Sequence, residues 1–513
     1  MNPNKLILLL LVPLAVLLAC GIHLMGKRPN VLMLTADDLG WDSLGCMGNP
    51  LPGLTPNLDR LAGEGLLIKR AYVSTPICGP SRQTLYTGLH PQSSGILGHG
   101  VQPPAWWRAK GRTTQRRSIT SLLLDAGYFT GMIGKHGSEW CRFSLPAHGQ
   151  NHQTGMGRDP ARFLAFARTF LERAKSEDKP FFLAANAHDP HRHWARHHDE
   201  TQAWIAAMMG DEPWTAFPNG KPYPDPLSQF RPADCPIPPA YPDHPVVRKT
   251  LATYYDSVHR MDQVIGSLLR ALSESGMEKN TLVLFLSDHG LAWDLSKWSL
   301  YPSGVRTPLI LRWPASLKPG QVNEDSVVSA VDLAPTLAEL CGLDPMAGTD
   351  GLSFACLLRG EQGAWPRTEA FSCFNYMNNH PEIDQRNPDF DPELARRFDQ
   401  YRQSRALNGG RFSYLWNGWA DGNLTLPRTM LGEFHWMLGQ GELEDSELRT
   451  FIEKRTVEEL YDVRNDPACR NNLAGETEFR KTLSGFRNRM LQLLERTGDH
   501  EFKNFRKFLT GKE

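Results

Sequence analysis

Four short apolar runs in this chain break off abruptly into polar side chains. Val31–Leu34 leads into Thr35-Ala36-Asp37-Asp38-Leu39-Gly40, Tyr128–Gly134 into Lys135 and His136, Phe181–Ala187 into His188-Asp189-Pro190-His191, and Leu282–Leu286 into Ser287-Asp288-His289-Gly290. Between them the apolar residues fall at helical spacing, as in Leu251, Tyr254, Tyr255, Val258, Met261, Ile265, Leu268 and Leu272. Buried runs that alternate with helices predict an α/β fold on a large mixed, mostly parallel sheet flanked by helices. In such sheets ligands collect outside the carboxyl ends of the strands. All four runs place their polar residues there, so one pattern predicts both a fold and a site.

The neighbouring carboxylates Asp37 and Asp38 repel each other and resist desolvation, so at the end of a core strand they are expected to hold a cation. A solvated Asp-Asp turn or helix cap is the alternative. Downstream, Thr55–Arg60 with Leu61 and Leu66 reads as a capped helix, and Leu67–Val73 leads toward Cys78-Gly79-Pro80-Ser81-Arg82-Gln83-Thr84-Leu85-Tyr86-Thr87-Gly88. This stretch reads as a loop that enters a helix near Ser81, whose free N–H groups would suit an anion. A buried cysteine at a Pro-Ser turn is the plainer reading of the same residues.

Lys plus Arg and Asp plus Glu number 56 each, so no global field steers the chain to nucleic acid or to a membrane surface. Attraction for an anionic substrate must therefore be local. The cluster Arg108, Lys110, Arg112, Arg116 and Arg117 reads as a solvated loop or as a contact for an anionic glycan. With 513 residues, 41% of them apolar, the chain is large enough for one big domain and a smaller attached one.

The expected organisation is a targeting segment over residues 1–27, a catalytic α/β domain over 28–360 and an α+β region over 361–513. Lys5, an uncharged run from Leu6 to Ala19, and Leu17-Leu18-Ala19-Cys20-Gly21 form a signal with a bacterial lipoprotein box. Cys20 would then carry lipid and tether the protein to a membrane; a cleaved signal or an uncleaved anchor to about Met25 are the alternatives. Each predicts work outside the cytoplasm, in the periplasm or on the outer membrane or cell surface. Without Cys20 and Cys78, seven of nine cysteines remain, so a full disulfide framework is not implied; Cys341 and Cys356 could pair or stay buried thiols.

Eleven prolines between Asp211 and Pro245 mark an irregular excursion that is expected to line or cover a site. In the last third, Glu369–Phe374, Phe412–Trp416 and Glu459–Val463 read as strands, and Phe479, Leu483, Phe486, Met490, Leu493 and Leu494 share one face of a helix. Asn423-Leu424-Thr425 is a glycosylation sequon whose use a bacterial lipobox argues against.

The Cys78–Gly88 stretch resembles the signature of the formylglycine-dependent sulfatases of the alkaline phosphatase superfamily. The likeness runs from Asn30-Val31 through Asp288-His289-Gly290 and Pro308-Leu309-Ile310 to Leu460-Tyr461-Asp462. It is most similar to the heparan N-sulfatases, or sulfamidases, in Ser94-Gly95-Ile96-Leu97-Gly98, His188-Asp189-Pro190-His191-Arg192 and Arg260-Met261-Asp262-Gln263. The resemblance implies that Cys78 is oxidised to formylglycine (3-oxoalanine) by a formylglycine-generating or anaerobic sulfatase-maturing enzyme. The hydrated aldehyde would attack sulfur and then release sulfate from a glycosaminoglycan.

It also implies a calcium ion held by Asp37, Asp38, Asp288, His289 and the modified Cys78, with Arg82 fixing the hydrate and Lys135 and Lys297 neutralising sulfate oxygens. His136 would be the base that ejects sulfate, with His99 the substitute, and His188 the acid at the leaving atom. Three positions depart from the family pattern: many sulfatases have Asn where His289 stands, sulfamidases have Arg where Lys297 stands, and one residue normally separates the pair that is contiguous here as Lys135-His136. The implied substrate is a sulfated glycan, N-sulfoglucosamine first and an O-sulfated sugar second. Asp288-His289 also suits a zinc or manganese phosphoesterase, and a glycan-binding lipoprotein without turnover is the third alternative.

Overall fold

The computed structural model describes residues 28–98, 117–135, 143–146, 157–192, 194, 223–293, 295–375, 403–420 and 456–511. The first 27 residues, His99, the cluster from Arg108 to Arg116, His136 and the Asn423 sequon lie outside the described residues.

A nine-stranded sheet carries the first two thirds of the chain. Its strands are β1 (Asn30–Ala36), β2 (Leu66–Tyr72), β3 (Phe129–Gly134), β4 (Phe143–Pro146), β5 (Phe181–Asn186), β6 (Thr281–Ser287), β7 (Arg306–Arg312), β8 (Gln321–Asn323) and β9 (Val328–Ser329). The order is β4-β3-β5-β1-β6-β7-β2-β8, with β9 paired to β2. β4, β3, β5, β1 and β6 run parallel, and β7 is antiparallel to both β6 and β2. The fold is thus the mixed, mostly parallel α/β sheet that the four apolar runs predict. β1, β3, β5 and β6 are buried along their whole length, which is why their sequences are continuous apolar runs and do not alternate.

One strand and the start of one helix are not announced by that pattern. Leu66–Tyr72 contains Lys69 and Arg70 and reads as a lead-in to the signature, yet it pairs on both sides as β2. The signature helix α2 (Cys78–Thr87) begins at Cys78 itself, three residues before the expected entry near Ser81. Pro80 is the reason this is possible: in the first turn a proline lacks only an N–H that has no helical partner.

Helix α1 (Pro56–Gly63) starts where expected, but Thr55 does not cap it. The Thr55 hydroxyl accepts from Gly45 N (3.0 Å) and donates to Asp59 Oδ1 (3.1 Å), which ties the helix to the preceding turn. Helices α3 (Ile119–Asp125), α4 (Pro160–Ser176) and α5 (Pro245–Ser275) follow, and α5 packs along α4 and α1. The helical spacing from Leu251 to Leu272 corresponds to the buried side of α5.

A second sheet, antiparallel and four-stranded, is ordered β10 (Glu369–Phe374), β11 (Ser404–Gly409), β12 (Phe412–Asn417), β13 (Glu458–Asp462). Three of its strands match the sequence reading; β11, with its Ser-Arg-Ala-Leu-Asn-Gly sequence, does not stand out locally. Helices α6 (Arg480–Thr497) and α7 (Phe502–Thr510) cover it, burying Leu483, Phe486, Met490, Leu494 and Phe505 against Phe371, Tyr414 and Trp416. This sheet buttresses the signature segment: Cys373 N donates to Ser74 O (2.8 Å) and Ser372 Oγ to Val73 O (2.7 Å), four and five residues before Cys78. The seven described cysteines, Cys341 and Cys356 included, are free thiols. No described helix is long and apolar enough to cross a membrane.

Candidate active site

β3, β5, β1 and β6 are consecutive in the sheet and parallel, so their carboxyl ends form one row. Three inter-strand steps of about 4.8 Å bring Lys135, His188, Asp37 and Asp288 within one small-molecule span. Gly134 closes β3 with φ 88°, where a side chain would collide with Asn186 O, and Lys135 N then donates to that same carbonyl (3.1 Å). Asp38 also has a left-handed backbone, φ 64°, a conformation that aspartate tolerates better than most residues. Its amide donates to Asp288 Oδ1 (3.2 Å), locking the end of β1 to the end of β6.

Cys78 sits above this row at the N-terminus of α2, where the helix dipole favours negative charge. Ser81 Oγ donates to Asp288 O (2.5 Å), and Arg82, one turn on, donates from Nη1 to Thr35 Oγ1 (2.9 Å) and pairs through Nη2 with Asp288 Oδ2 (3.0 Å). Lys135 Nζ contacts Asp37 Oδ2, and Lys297 Nζ lies 2.7 Å from Asp38 Oδ1. His289 Nε2 is 3.1 Å from Cys78 Sγ and 3.2 Å from Asp38 Oδ1. His188 Nε2 lies 3.9 Å from Asp37 Oδ2. Nine of the ten predicted site residues, all but His136, therefore meet in one buried cluster.

The charges explain the protonation states. Burial pushes the Cys78 thiol up, but Lys135 and Lys297 outweigh it and hold the group well below its ordinary range. Burial likewise opposes the Asp37 carboxylate, and Lys135 and Arg82 hold it ionised. Asp288 is pushed up to about 7 by burial and by Asp37. His289 rises to about 9 despite burial, because Asp288, Cys78 and Asp38 surround it. His188 and His191 are held well below the ordinary imidazole range: both are half-buried, and Arg158 or the two lysines add to the cost of a further positive charge.

Asp37, Cys78, Asp288 and His289 each place one donor atom within 4.8 Å of the others, as do Asp37, Asp38, Cys78 and His191. Both oxygens of Asp37 and Oδ2 of Asp288 are buried and accept no well-formed hydrogen bond. Asp37 Oδ2 and Asp288 Oδ2 meet the cations Lys135 and Arg82, which leaves Asp37 Oδ1 as the oxygen a divalent cation would satisfy, and the clustered carboxylates fit such an ion.

The sequence motifs assign no role to His191 and the residues behind it. Its Nε2 lies 3.7 Å from Asp38 Oδ2, its Nδ1 contacts Arg192 O (2.5 Å), and its ring meets that of His188 at 4.9 Å. The signal was the three-residue spacing from His188 to His191. Behind them the Asp189 carboxylate takes a bidentate fork from Arg260 of α5 (2.6 and 2.9 Å), with both side chains wholly buried. Asp262, two residues further, accepts from Leu58 N (2.9 Å) and Asn57 N (3.1 Å). The Arg260-Met261-Asp262-Gln263 motif is therefore a brace that seats the histidine loop and α1 against α5.

Residues 29–343 match the family model for sulfatases, which is more than half of the chain and includes every residue of this cluster. The chain belongs to the sulfatase family. It is 34% identical over 333 residues to the N-sulphoglucosamine sulphohydrolase of Homo sapiens, covering 63% of each chain. It is 24% identical over 500 residues to the ulvan-active sulfatase of Formosa agariphila, covering 92% of this chain and 76% of that one. The chain thus spans somewhat under two thirds of the human relative. Among solved structures, a protein in complex with its substrate D-glucosamine-2-N,6-O-disulfate superposes with a TM-score of 0.63 at 19% identity, over 93% of this chain and 99% of that one. That likeness concerns the fold.

Proposed function

We propose that this sulfatase removes sulfate from sulfated glycans, with N-sulfoglucosamine the leading substrate, through a formylglycine formed from Cys78 by a maturation enzyme. The observation that carries this reading is the Cys78 environment: a helix N-terminus, the cations Lys135, Lys297 and Arg82, and the carboxylates Asp37, Asp38 and Asp288 that they pair with. Cys78 Sγ stands for the oxygens of the mature residue. Formylglycine, as its hydrate, supplies a nucleophile with a second hydroxyl, which a serine or cysteine lacks. Asp37, Asp38, Asp288 and His289 would hold a divalent cation, calcium being favoured by the three carboxylates, and it would supply charge to stabilise an oxyanion at residue 78.

The chain's own residues do the rest. Lys135 and Lys297, held by Asp37 and Asp38, act on residue 78 and are placed to neutralise the non-bridging sulfate oxygens. Arg82, fixed by Thr35 and Asp288, keeps residue 78 and the carboxylates in register. His188 is placed to deliver a proton to the leaving oxygen or nitrogen once the substrate's negative charge offsets the cations around it. His136 remains the proposed base for sulfate release. The Asp288-His289 pair on its own also suits phosphoester chemistry; the cysteine signature and the family match favour sulfate.

The preference for N-sulfate rests on the human relative; Lys297, where sulfamidases carry Arg, favours an O-sulfated sugar as the second reading. We place the enzyme outside the cytoplasm, secreted by its N-terminal segment and held at the membrane by lipid on Cys20. The deciding experiment is the mass of the Cys78 peptide from protein made with a maturation enzyme, followed by a panel of N- and O-sulfated glucosamines. A loss of about 18 Da, the change from cysteine to formylglycine, with turnover abolished in Cys78→Ala, is the expected result. An unmodified thiol under conditions that mature a control sulfatase would exclude the mechanism.

A further inference from the structure

Arg158 is buried just ahead of α4, and its guanidinium grips the histidine loop by the backbone. Nη2 donates to the carbonyls of His191 (2.9 Å) and Arg192 (3.0 Å), and Nε lies 3.5 Å from Asp189 Oδ1. The residue before it holds the start of the loop: Gly157, with a left-handed backbone at φ 77°, accepts at its carbonyl from His188 N (2.9 Å). The loop in turn holds the end of β1, because Asp37 N donates to Asp189 O (3.3 Å). Arg158 therefore meets the loop on the far side of His188 from Gly157, at the carboxylate that Arg260 also holds.

Tyr223, a buried residue of the proline-rich excursion, touches both arginines. Its hydroxyl accepts from Arg158 Nη1 (3.2 Å), and the guanidinium carbons of Arg158 and Arg260 lie 5.1 and 4.4 Å from its ring centre. The next residue is held as well, since Arg260 Nη1 donates to Pro224 O (3.1 Å). A tyrosine suits this place for a physical reason. Two guanidinium groups reach one carboxylate, and an aromatic ring with a hydroxyl oxygen adds attraction for them without adding a charge that must be desolvated. A guanidinium is a rigid fork on a flexible stem, so it has one setting when Nη1 is tied to Tyr223 and Nη2 to the loop carbonyls, and more than one when either tie is lost.

We propose that Tyr223 and Arg158 are positioning residues for His188: the Tyr223 hydroxyl sets Arg158, and Arg158 sets the loop that aims the His188 ring. The proposal rests on the sulfatase reading above, in which His188 gives a ring proton to the leaving oxygen or nitrogen as its bond to sulfur breaks. That transfer needs hydrogen-bond reach, so a small displacement of the loop slows the chemical step while the lysines still bind the sulfate. The part of the excursion at Tyr223 thus acts on the site through the histidine loop.

The test is a double-mutant cycle in the mature full-length enzyme, on whichever of N-sulfated and O-sulfated glucosamine it hydrolyses. Tyr223→Phe removes only the hydroxyl and should lower kcat about tenfold with KM unchanged; Arg158→Lys keeps the charge, loses the fork and should lower kcat about a hundredfold. In a His188→Ala background neither should lower kcat further by more than about twofold, because the group they position is gone. A residue that only stabilises the fold would cost the same factor in both backgrounds. Equal losses therefore overturn the proposal, as does an unchanged kcat in Tyr223→Phe. A second readout needs no turnover: in Cys78→Ala protein carrying isotope-labelled histidine, Tyr223→Phe should move the His188 ring resonances, which are identified by their absence in His188→Ala. Unmoved resonances overturn the proposal. Moved resonances in a protein that hydrolyses no sulfate would uphold the brace and overturn the catalytic reading.

Discussion

Arg82 Nη2 lies 3.0 Å from Asp288 Oδ2, and both side chains are wholly buried. The pair joins the signature helix to the end of β6, and the second nitrogen of the fork reaches Thr35 at the end of β1. Removing the cation leaves buried negative charge at Asp288 and Asp37. Arg82→Ala should therefore cost about 3–5 kcal/mol of stability, the range for stranding one half of a buried pair. Arg82→Lys keeps the charge without the fork and should fall between the two. Urea unfolding measures both; an unchanged midpoint in Arg82→Ala would show that the pair contributes nothing.

Lys297 reaches Asp38 at 2.7 and 2.9 Å from a loop 259 residues away in sequence. As a donor to developing sulfate charge, its loss in Lys297→Ala should lower kcat by roughly 10²–10³. Lys297→Arg should restore part of it. Steady-state kinetics on one N-sulfated and one O-sulfated sugar would also show whether Arg shifts the ratio toward N-sulfate, as the sulfamidase pattern implies.

Chelation should remove the proposed cation and lower the thermal midpoint, and calcium should restore it. A ligand present at about 100 times its dissociation constant stabilises by about 2.7 kcal/mol. Asp37→Asn should abolish the calcium-dependent part of that shift while leaving the fold intact. A shift with zinc or manganese but none with calcium would assign a different metal; no shift with any of them would remove the metal from the site.

His90 gives a pH dependence away from the active site. It is buried, with Nδ1 3.1 Å from Ser74 Oγ and its ring edge-on to Phe371, and burial lowers its pKa from 6.5 to about 4. Above pH 6.5 the ring is neutral in folded and unfolded chains and contributes no slope. As pH falls from there toward 4, the unfolded chain takes up a proton that the folded protein refuses, so stability is lost, by up to about 3 kcal/mol. His90→Gln should flatten that slope in urea titrations at pH 7, 5.5 and 4.5, whatever it does to the absolute stability.

Local chemistry made much of this protein legible. A buried strand must be apolar, and its end is where the chain can turn polar again, so the runs before Asp37, Lys135, His188 and Asp288 disclosed the strands and the site together. The Cys78 signature is contiguous and could be read as such. What stayed hidden was whatever depends on partners distant in the chain. β2 carries Lys69 and Arg70 because it lies toward one side of the sheet beside the short strands β8 and β9, a position its own sequence does not state.

The sequence by itself determined the chemistry: which strands end in carboxylates, which cations and imidazoles are available, and which cysteine stands in the signature. Only the tertiary structure decided the pairings. It set Lys297 on Asp38, Lys135 on Asp37, His191 over Asp38 and Arg260 on Asp189. The reason is physical. A side chain's type and its local pattern follow from its neighbours in sequence, but the sheet order that lays β3, β5, β1 and β6 side by side follows from burying all the strands and helices at once.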